Sequence, residues 1–118
     1  MQLTIKDVEI LQQNLAKEQK DYQIELQEGN LLVMGPSDIE SSEIGAELIR
    51  LLGNWIKPRN LGRIFDSSGG FIMPNTDLRA PDVSFVVASR LKRTVRDFGN
   101  LVPDLVVEIK SKTIELEN

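Results

Sequence analysis

Apolar residues near the start of the chain recur with the spacing of an α-helix. They are Ile5, Val8, Ile10, Leu11 and Leu15. Lysine, glutamate and glutamine fill the positions between them, as on the solvent-facing side of an amphipathic helix. The pattern predicts a helix over about residues 5 to 18.

The spacing then changes to alternation between apolar and polar residues. It begins at Tyr22 and continues to Leu26. A Gly29-Asn30 turn follows, and after it the apolar run 31–34. Two short apolar segments around a glycine-containing turn predict a β-hairpin.

Helical spacing returns after Pro36 and Ser37, which end the hairpin. The apolar positions are Ile44, Leu48, Leu51, Leu52, Trp55 and Ile56. This second helix is predicted to end before Pro58, because the residue before a proline disfavours the helical conformation. Its apolar face is predicted to lie on the sheet, with Trp55 in the core because it belongs to that face.

Beyond Pro58 the chain breaks into short apolar segments separated by glycine, proline and asparagine. These predicted strands are "GRIFDSS", "GGFIMP", "PDVSFVVAS" and "PDLVVEIKS". "DSSGGF" lacks the lysine of a phosphate-binding loop and is interpreted as a turn. The order of elements predicts an α+β or mixed α/β fold, with the last strands in the centre of the sheet because they are apolar on both faces.

Length and composition fit one folded domain. The chain has 118 residues, of which 41% are hydrophobic and 27% charged, so we expect a single domain, 1–118, with one core. No apolar run approaches the roughly 18 residues that span a bilayer, and the first residues do not resemble a signal peptide. These features favour a cytoplasmic protein.

The chain contains no cysteine and no histidine. Disulfides, thiolate zinc sites, cysteine nucleophiles and imidazole bases are therefore excluded. Carboxylates, lysine, hydroxyls and a hard cation such as Mg²⁺ or Mn²⁺ remain for chemistry.

The strand "VPDLVVEIKS" carries more charge than a buried strand tolerates. Asp104, Val106, Glu108 and Lys110 share one face in an extended strand. Glu108 and Lys110 are about 6.6 Å apart along the strand, close enough to act on one substrate. Buried charges require a partner, a metal or a cleft. A cross-strand ion pair at the rim of the sheet is the alternative.

A second acid, Asp82, opens the apolar strand "PDVSFVV". If the two strands are neighbours, Asp82 and Glu108 could hold one divalent cation, and Lys110 could orient the attacking water or neutralise a phosphoryl oxygen. Asp104 is a rival, but it lies about 13 Å from Glu108 along one strand, so Asp82 is preferred. Alternatively, Asp82 is simply a turn residue after Pro81.

Several segments together resemble a known family. "RAPDVSFV" followed by "PDLVVEIKS" resembles the PD-(D/E)XK nuclease superfamily, with Asp82 as the first acid and Glu108-Ile109-Lys110 as the E-x-K motif. More narrowly, "YQIELQEGNLLVMGPS", "IESSEIGAELIRLLGNWI" and "GRIFDSSGGFIMPNTDLRAPDVSFV" are similar to a family of small restriction-endonuclease-like proteins abundant in photosynthetic bacteria. The similarity extends over nearly the whole chain.

The resemblance implies a restriction-endonuclease-like fold, a sheet of mixed strand directions flanked by helices. It also implies Mg²⁺-dependent hydrolysis of DNA phosphodiester bonds, with Asp82 and Glu108 as metal ligands. Such nucleases often use a further glutamate from the preceding helix, and Glu40 matches best. Alternatively, the S-x-x-E sequence Ser37 to Glu40 makes Glu40 the N3 residue of a helix capping box.

The segment "SRLKRTVRDFGN", between the two acid-bearing strands, is rich in basic residues. These residues are Arg90, Lys92, Arg93 and Arg96. In a nuclease such a loop would contact the DNA backbone, and Arg63 and Arg79 could add to it. A solvated surface loop is the alternative.

Proteins of the family usually continue beyond the E-x-K strand, whereas this sequence ends at Asn118. We therefore expect a domain that is incomplete at its C-terminus. An uncovered strand edge favours pairing with a second chain, so a homodimer is predicted. The alternative to an active nuclease is a catalytically inactive, truncated nuclease-like fold that acts as a binding or assembly module.

Overall fold

A computed structural model describes residues 4–17, 23–34 and 38–109. Within these ranges the chain forms two helices, α1 (Ile5–Lys17) and α2 (Ile39–Ile56). The strands are β1 (Gln23–Gln27), β2 (Asn30–Met34), β3 (Gly62–Phe65), β4 (Phe71–Ile72), β5 (Leu78–Arg79), β6 (Val83–Val87) and β7 (Leu105–Val107). The α+β class and both helices predicted from the sequence are confirmed.

Helix α1 begins with a reciprocal cap. The backbone amide of Thr4 donates to Asp7 Oδ2 over 2.9 Å, and the amide of Asp7 donates to Thr4 Oγ1 over 3.3 Å. Each side chain thus satisfies an amide that the first turn of a helix leaves unpaired. On the apolar face of α1, Val8 is fully buried and packs with residues of the first sheet, among them Ile24 and Leu78. This contact fixes α1 on the sheet.

The predicted hairpin is present, but its turn lies one residue earlier than Gly29-Asn30. Asn30 pairs with Gln27 in the antiparallel ladder, which leaves Glu28 and Gly29 as the two-residue loop. Their φ angles of 52° and 79° are those of the left-handed region, as a type I′ hairpin turn requires. The buried Asp77 carboxylate accepts from the Glu28 amide over 2.7 Å. Asparagine therefore belongs to the strand rather than to the turn.

The strands form two sheets in which every described ladder is antiparallel. The first has the order β2-β1-β5-β4 and the second the order β3-β6-β7. The sequence resemblance implied one sheet of mixed directions. In the described residues the parallel contact is an isolated bridge between Phe71 and Gly99. Residues 80–82 connect β5 of the first sheet to β6 of the second, so the two sheets meet there.

Helix α2 is capped by Asp38, whose carboxylate accepts from the Ser41 amide over 2.6 Å. This hydrogen bond lowers the pKa of Asp38. The capping-box interpretation of Glu40 is therefore wrong, because Asp38 is the N-cap and Glu40 is the second helical residue rather than the third. Along its inner face, α2 places Gly53 against Ile64 of the second sheet.

The outer face of α2 exposes apolar residues, contrary to the prediction that Trp55 belongs to the core. Trp55 is 59% exposed, and Leu51 and Ile44 on the same stripe are 54% and 48% exposed. The Arg59 guanidinium lies 3.4 Å from the centre of the indole ring and donates to the Trp55 carbonyl oxygen. The apolar stripe of α2 is wider than the contact with the sheet, so periodicity alone does not show which part is buried.

Strand β6 is the buried middle strand of the second sheet, and Val86 is fully buried. Strand β7 was predicted to be central, but among the described strands it lies at the edge, paired with β6 alone. Leu105 and Val106 are 43% and 45% exposed as a result. In the described ranges, neither helix has the length and hydrophobicity of a membrane span.

Candidate carboxylate site

The pairing of β6 with β7 brings two acidic residues together. Val83 lies opposite Val107 and Ser84 opposite Val106. One further step along this antiparallel register places Asp82 opposite Glu108, and directly opposed side chains point to the same face of a sheet. Asp82 and Glu108 are therefore cross-strand neighbours, although 25 residues separate them in the sequence.

The Asp82 carboxylate also closes the end of this strand pair. Its Oδ2 accepts from the backbone amide of Ile109 over 2.6 Å. Asp82 is half-buried, and Pro81 before it is buried. The proline fixes the backbone where the chain leaves β5, and the hydrogen bond holds the carboxylate at the end of β7. The position of Asp82 is thus set by the backbone on both sides.

The pKa of the Glu108 carboxyl is raised above its ordinary value of 4.5. Partial burial is the main cause, followed by the charge of Asp82 and by the hydrogen bond that a protonated Glu108 donates to it. Glu25 contributes further repulsion. A carboxyl group whose ionisation is disfavoured, lying beside a second acidic residue, favours a proton or a cation between the two side chains.

Glu25 was missed in the sequence analysis. It lies on β1 of the first sheet, on the face opposite to the buried Ile24 and Leu26, and its side chain is only 13% exposed. Its Oε1 accepts from the Ala80 amide over 3.2 Å, and its Oε2 lies 3.9 Å from an Arg79 nitrogen. Alternation gave no signal for this role, because a glutamate between two apolar residues is equally typical of a solvent-facing position.

The donor chemistry of the carboxylate pair fits a hard divalent cation, which prefers carboxylate oxygens. Asp82 and Glu108 would supply two ligands. In the described part of the chain, no three acidic side chains converge on a point that could hold a metal. Glu40 is exposed in the first turn of α2. Gly45, five residues further along α2, lies against Ile109. Glu40 is therefore about 7.5 Å along the helix from the residue that contacts the end of β7.

Residues 7–118 match the model of the Uma2 family, described as "Putative restriction endonuclease". This chain belongs to the Uma2 family. The family resemblance identified from the sequence is thereby confirmed.

The Uma2 assignment agrees with the fold of a solved structure. The crystal structure of a "putative nuclease belonging to DUF820" from Anabaena variabilis is similar to this chain, with a TM-score of 0.67 and 23% sequence identity. The similarity covers 75% of this chain and 50% of that one, so the Uma2 chain described here spans about half the length of that protein. No curated protein matches the sequence.

Two further candidate site residues of this Uma2 chain are Lys110 and Asp104. Lys110 lies outside the described residues. Asp104, the rival of Asp82, accepts from the Val87 amide over 2.8 Å and pairs with the Arg90 guanidinium, also over 2.8 Å. The hydrogen bond from Val87 is the main reason that the pKa of Asp104 is lowered. The Asp104 carboxylate is thus already bound, and it anchors the start of the loop formed by residues 90–97.

The basic loop itself, residues 90–97, is irregular and largely exposed. Arg90 is engaged by Asp104, whereas the side chains of Lys92, Arg93 and Arg96 are exposed. Arg96 also lines a surface cleft of about 530 Å³. That cleft lies between α1 and the loops 68–70 and 96–98, and neither Asp82 nor Glu108 contributes to it. This cleft is therefore separate from the carboxylate pair.

Proposed function

We propose that this Uma2 chain is a divalent-metal-dependent endonuclease that hydrolyses phosphodiester bonds of DNA. The observation that supports the proposal most directly is the cross-strand placement of Asp82 opposite Glu108, with the Ile109 amide bound to Asp82 over 2.6 Å. The order of the acids and the lysine in the sequence is that of the PD-(D/E)XK nucleases. Uma2 membership supports the same class of activity.

Asp82 and Glu108 would hold Mg²⁺ or Mn²⁺, and Glu40 is the candidate for a further ligand. The metal would lower the pKa of a bound water and stabilise the negative charge that develops on the phosphate. Asp82 keeps its charge aimed at the site because the Ile109 amide holds one of its oxygens. Glu25 adds negative potential at Glu108 and so favours a cation there.

Lys110 is proposed to orient the attacking water or to neutralise a phosphoryl oxygen in the transition state. The exposed residues of the basic loop, together with Arg90, are proposed to contact the DNA backbone, which would give salt-dependent binding with little sequence preference. A cytoplasmic location is part of the same proposal.

The function is tested by cleavage of supercoiled plasmid in Mg²⁺, in Mn²⁺ and in chelator. Lys110→Ala is compared with Lys112→Ala, a matched loss of a lysine two positions away. We expect metal-dependent nicking by the parent and by Lys112→Ala, and a rate at least about a hundredfold lower in Lys110→Ala, because a charge aimed at the reacting phosphate is lost. Equal nicking by all three proteins would contradict the role of Lys110 and point to a contaminating nuclease.

The second candidate function is a catalytically inactive, nuclease-like assembly module. The edge strand β7 favours it, since Leu105 and Val106 are half-exposed there. Pairing of β7 with its copy in a second chain would satisfy the edge amides and carbonyls, so a homodimer is proposed for either function. Absence of cleavage together with dimer formation would favour the module over the enzyme.

The dimer is tested by sedimentation equilibrium of Val106→Lys and Leu32→Lys. Both residues are exposed on edge strands, β7 and β2. A lysine on β7 should oppose strand pairing, because edge charges repel each other across a symmetric interface. We expect a parent dimer that Val106→Lys shifts to monomer and Leu32→Lys leaves unchanged. A monomeric parent, or a dimer in both variants, would refute pairing through β7.

A further inference from the structure

Arg63 stands on the same face of the second sheet as the carboxylate pair. It lies on β3 opposite Val86 of β6. Val86, Ser84 and Asp82 alternate along β6 and so share one face, which is also the face of Arg63. Four residue-to-residue steps lead from Val86 to Asp82, a distance of about 13 Å. The half-buried Arg63 side chain therefore lies on the same face of the sheet as Asp82, one strand away, with the buried Ser84 and Val86 between them.

All three nitrogens of the Arg63 guanidinium group bind the basic loop. Nε donates to the Leu91 carbonyl oxygen over 3.3 Å and one terminal nitrogen to the Lys92 carbonyl oxygen over 3.0 Å. The other terminal nitrogen donates to Thr94 Oγ1 over 2.9 Å. A planar guanidinium can make such a fork of contacts, whereas a lysine ammonium cannot. One side chain thus fixes three positions of the loop.

The ends of the loop are held independently of Arg63. At its start, Asp104 pairs with Arg90 and accepts from the Val87 amide. At its end, the Gly99 amide donates to the Gly70 carbonyl oxygen over 2.9 Å. Between these anchors the loop has little apolar burial, so the contacts of Arg63 decide its shape.

We propose that Arg63 is a positioning residue that presents Lys92 and Arg93 to the DNA backbone. The Lys92 carbonyl oxygen is bound to Arg63 while its side chain remains exposed, as does that of Arg93. Along β6, Val86 opposite Arg63 lies about 13 Å from Asp82, which corresponds to about four base-pair steps of duplex. This inference rests on the proposed nuclease function.

The first test measures, without DNA, how readily trypsin cuts the loop. Arg63→Ala and Arg63→Lys are digested with trypsin under native conditions, and fragments cut at residues 90–96 are followed by mass spectrometry. Arg59→Ala is the matched control, because Arg59 contacts Trp55 rather than the loop. We expect at least about tenfold faster cutting in the loop for both Arg63 variants, since local opening becomes easier. If Arg63→Ala does not fold, Arg63→Lys carries the test.

The second test measures binding of a DNA duplex at several salt concentrations, in Ca²⁺ to prevent cleavage. Losing Lys92 and Arg93 together should flatten the slope of log K against log salt by about 1.8, or 0.9 for each phosphate contact. Arg63→Lys should cause a similar change while retaining its charge. In the triple variant, Arg63→Lys should add nothing further, because a positioning residue acts through the residues it positions.

The outcomes separate the two proposals. A parent protein that does not bind the duplex contradicts the nuclease function and the presentation of the loop to DNA. A parent that binds, with Arg63→Lys equal to it in slope and in trypsin resistance, refutes the role of Arg63 alone. Additive losses in the triple variant would show that Arg63 contacts phosphate itself, and faster digestion without weaker binding would show that the loop does not bind DNA.

Discussion

Replacing Asp82 with asparagine is expected to slow plasmid cleavage by at least about a hundredfold while leaving the fold intact. The amide oxygen of asparagine can still accept the Ile109 amide, so the hydrogen bond that closes β7 is retained. What is lost is the charge, and with it most of the attraction for a divalent cation. Asp82→Ala removes the charge, the hydrogen bond and the side-chain packing, so the difference between the two variants measures what the uncharged side chain contributes.

The measurement is the initial rate of nicking at saturating Mg²⁺, together with the far-ultraviolet circular dichroism of each variant. Glu43→Gln is the matched control, because Glu43 is an exposed carboxylate on α2. We expect the control to cleave at the parental rate. Native-like circular dichroism with undiminished cleavage in Asp82→Asn would eliminate the carboxylate pair as the active site.

Glu108→Gln is expected to change thermal stability in opposite directions with and without metal. Without metal at neutral pH, the variant should melt a few degrees above the parent, because a charge at position 108 no longer has to be desolvated and its repulsion with Asp82 and Glu25 is relieved. With metal at about a hundred times its Kd, the parent gains about 2.7 kcal/mol. For a domain of this size that gain raises the Tm by about 10 °C, and the variant should lose most of it.

Without metal, the difference in Tm between Glu108→Gln and the parent should depend on pH, and the direction of the change follows from the pKa of Glu108. Because the folded state raises the pKa of Glu108, it binds this proton more tightly than the unfolded chain does. The contribution to stability is fully present below the unfolded pKa and is lost as pH rises through the folded value. The Tm advantage of Glu108→Gln should therefore appear above about pH 4 and grow toward neutrality.

Melting curves recorded across this pH range, with and without Mg²⁺, check both statements, and Glu43→Gln again serves as the control. A parent and a Glu108→Gln variant with equal metal-induced shifts would place the cation elsewhere on the protein. Identical metal-free curves at all pH values would mean that neither burial nor the neighbouring carboxylates disfavour the charged form of Glu108.

Local patterns in the sequence predicted α1, α2, the hairpin and the buried strand β6, because each shows one clear period. The placement of Asp82 beside Glu108 was conditional on two strands being neighbours, which no local pattern reports. Burial was harder to predict. Trp55 lies on the apolar stripe of its helix and is nevertheless exposed, because one stripe cannot show how far the sheet extends beneath it.

The contributions of Glu25 and Arg63 could not have been predicted for a related reason. Each side chain acts through backbone groups distant in sequence, the Ala80 amide for Glu25 and the Leu91 and Lys92 carbonyl oxygens for Arg63. Backbone groups are present at every position, so nothing in the sequence marks which of them a polar side chain will meet.

The exposed indole on α2 also gives this protein a built-in optical label. Trp55 is the single tryptophan of the chain, and it is 59% exposed although Arg59 covers one face of its ring, so its fluorescence should be that of a water-exposed indole. A molecule that covers the outer face of α2 would shift the emission to shorter wavelength. Events at the basic loop or at the carboxylate pair would leave it unchanged, so one spectrum distinguishes docking on the helix from binding at the sheet.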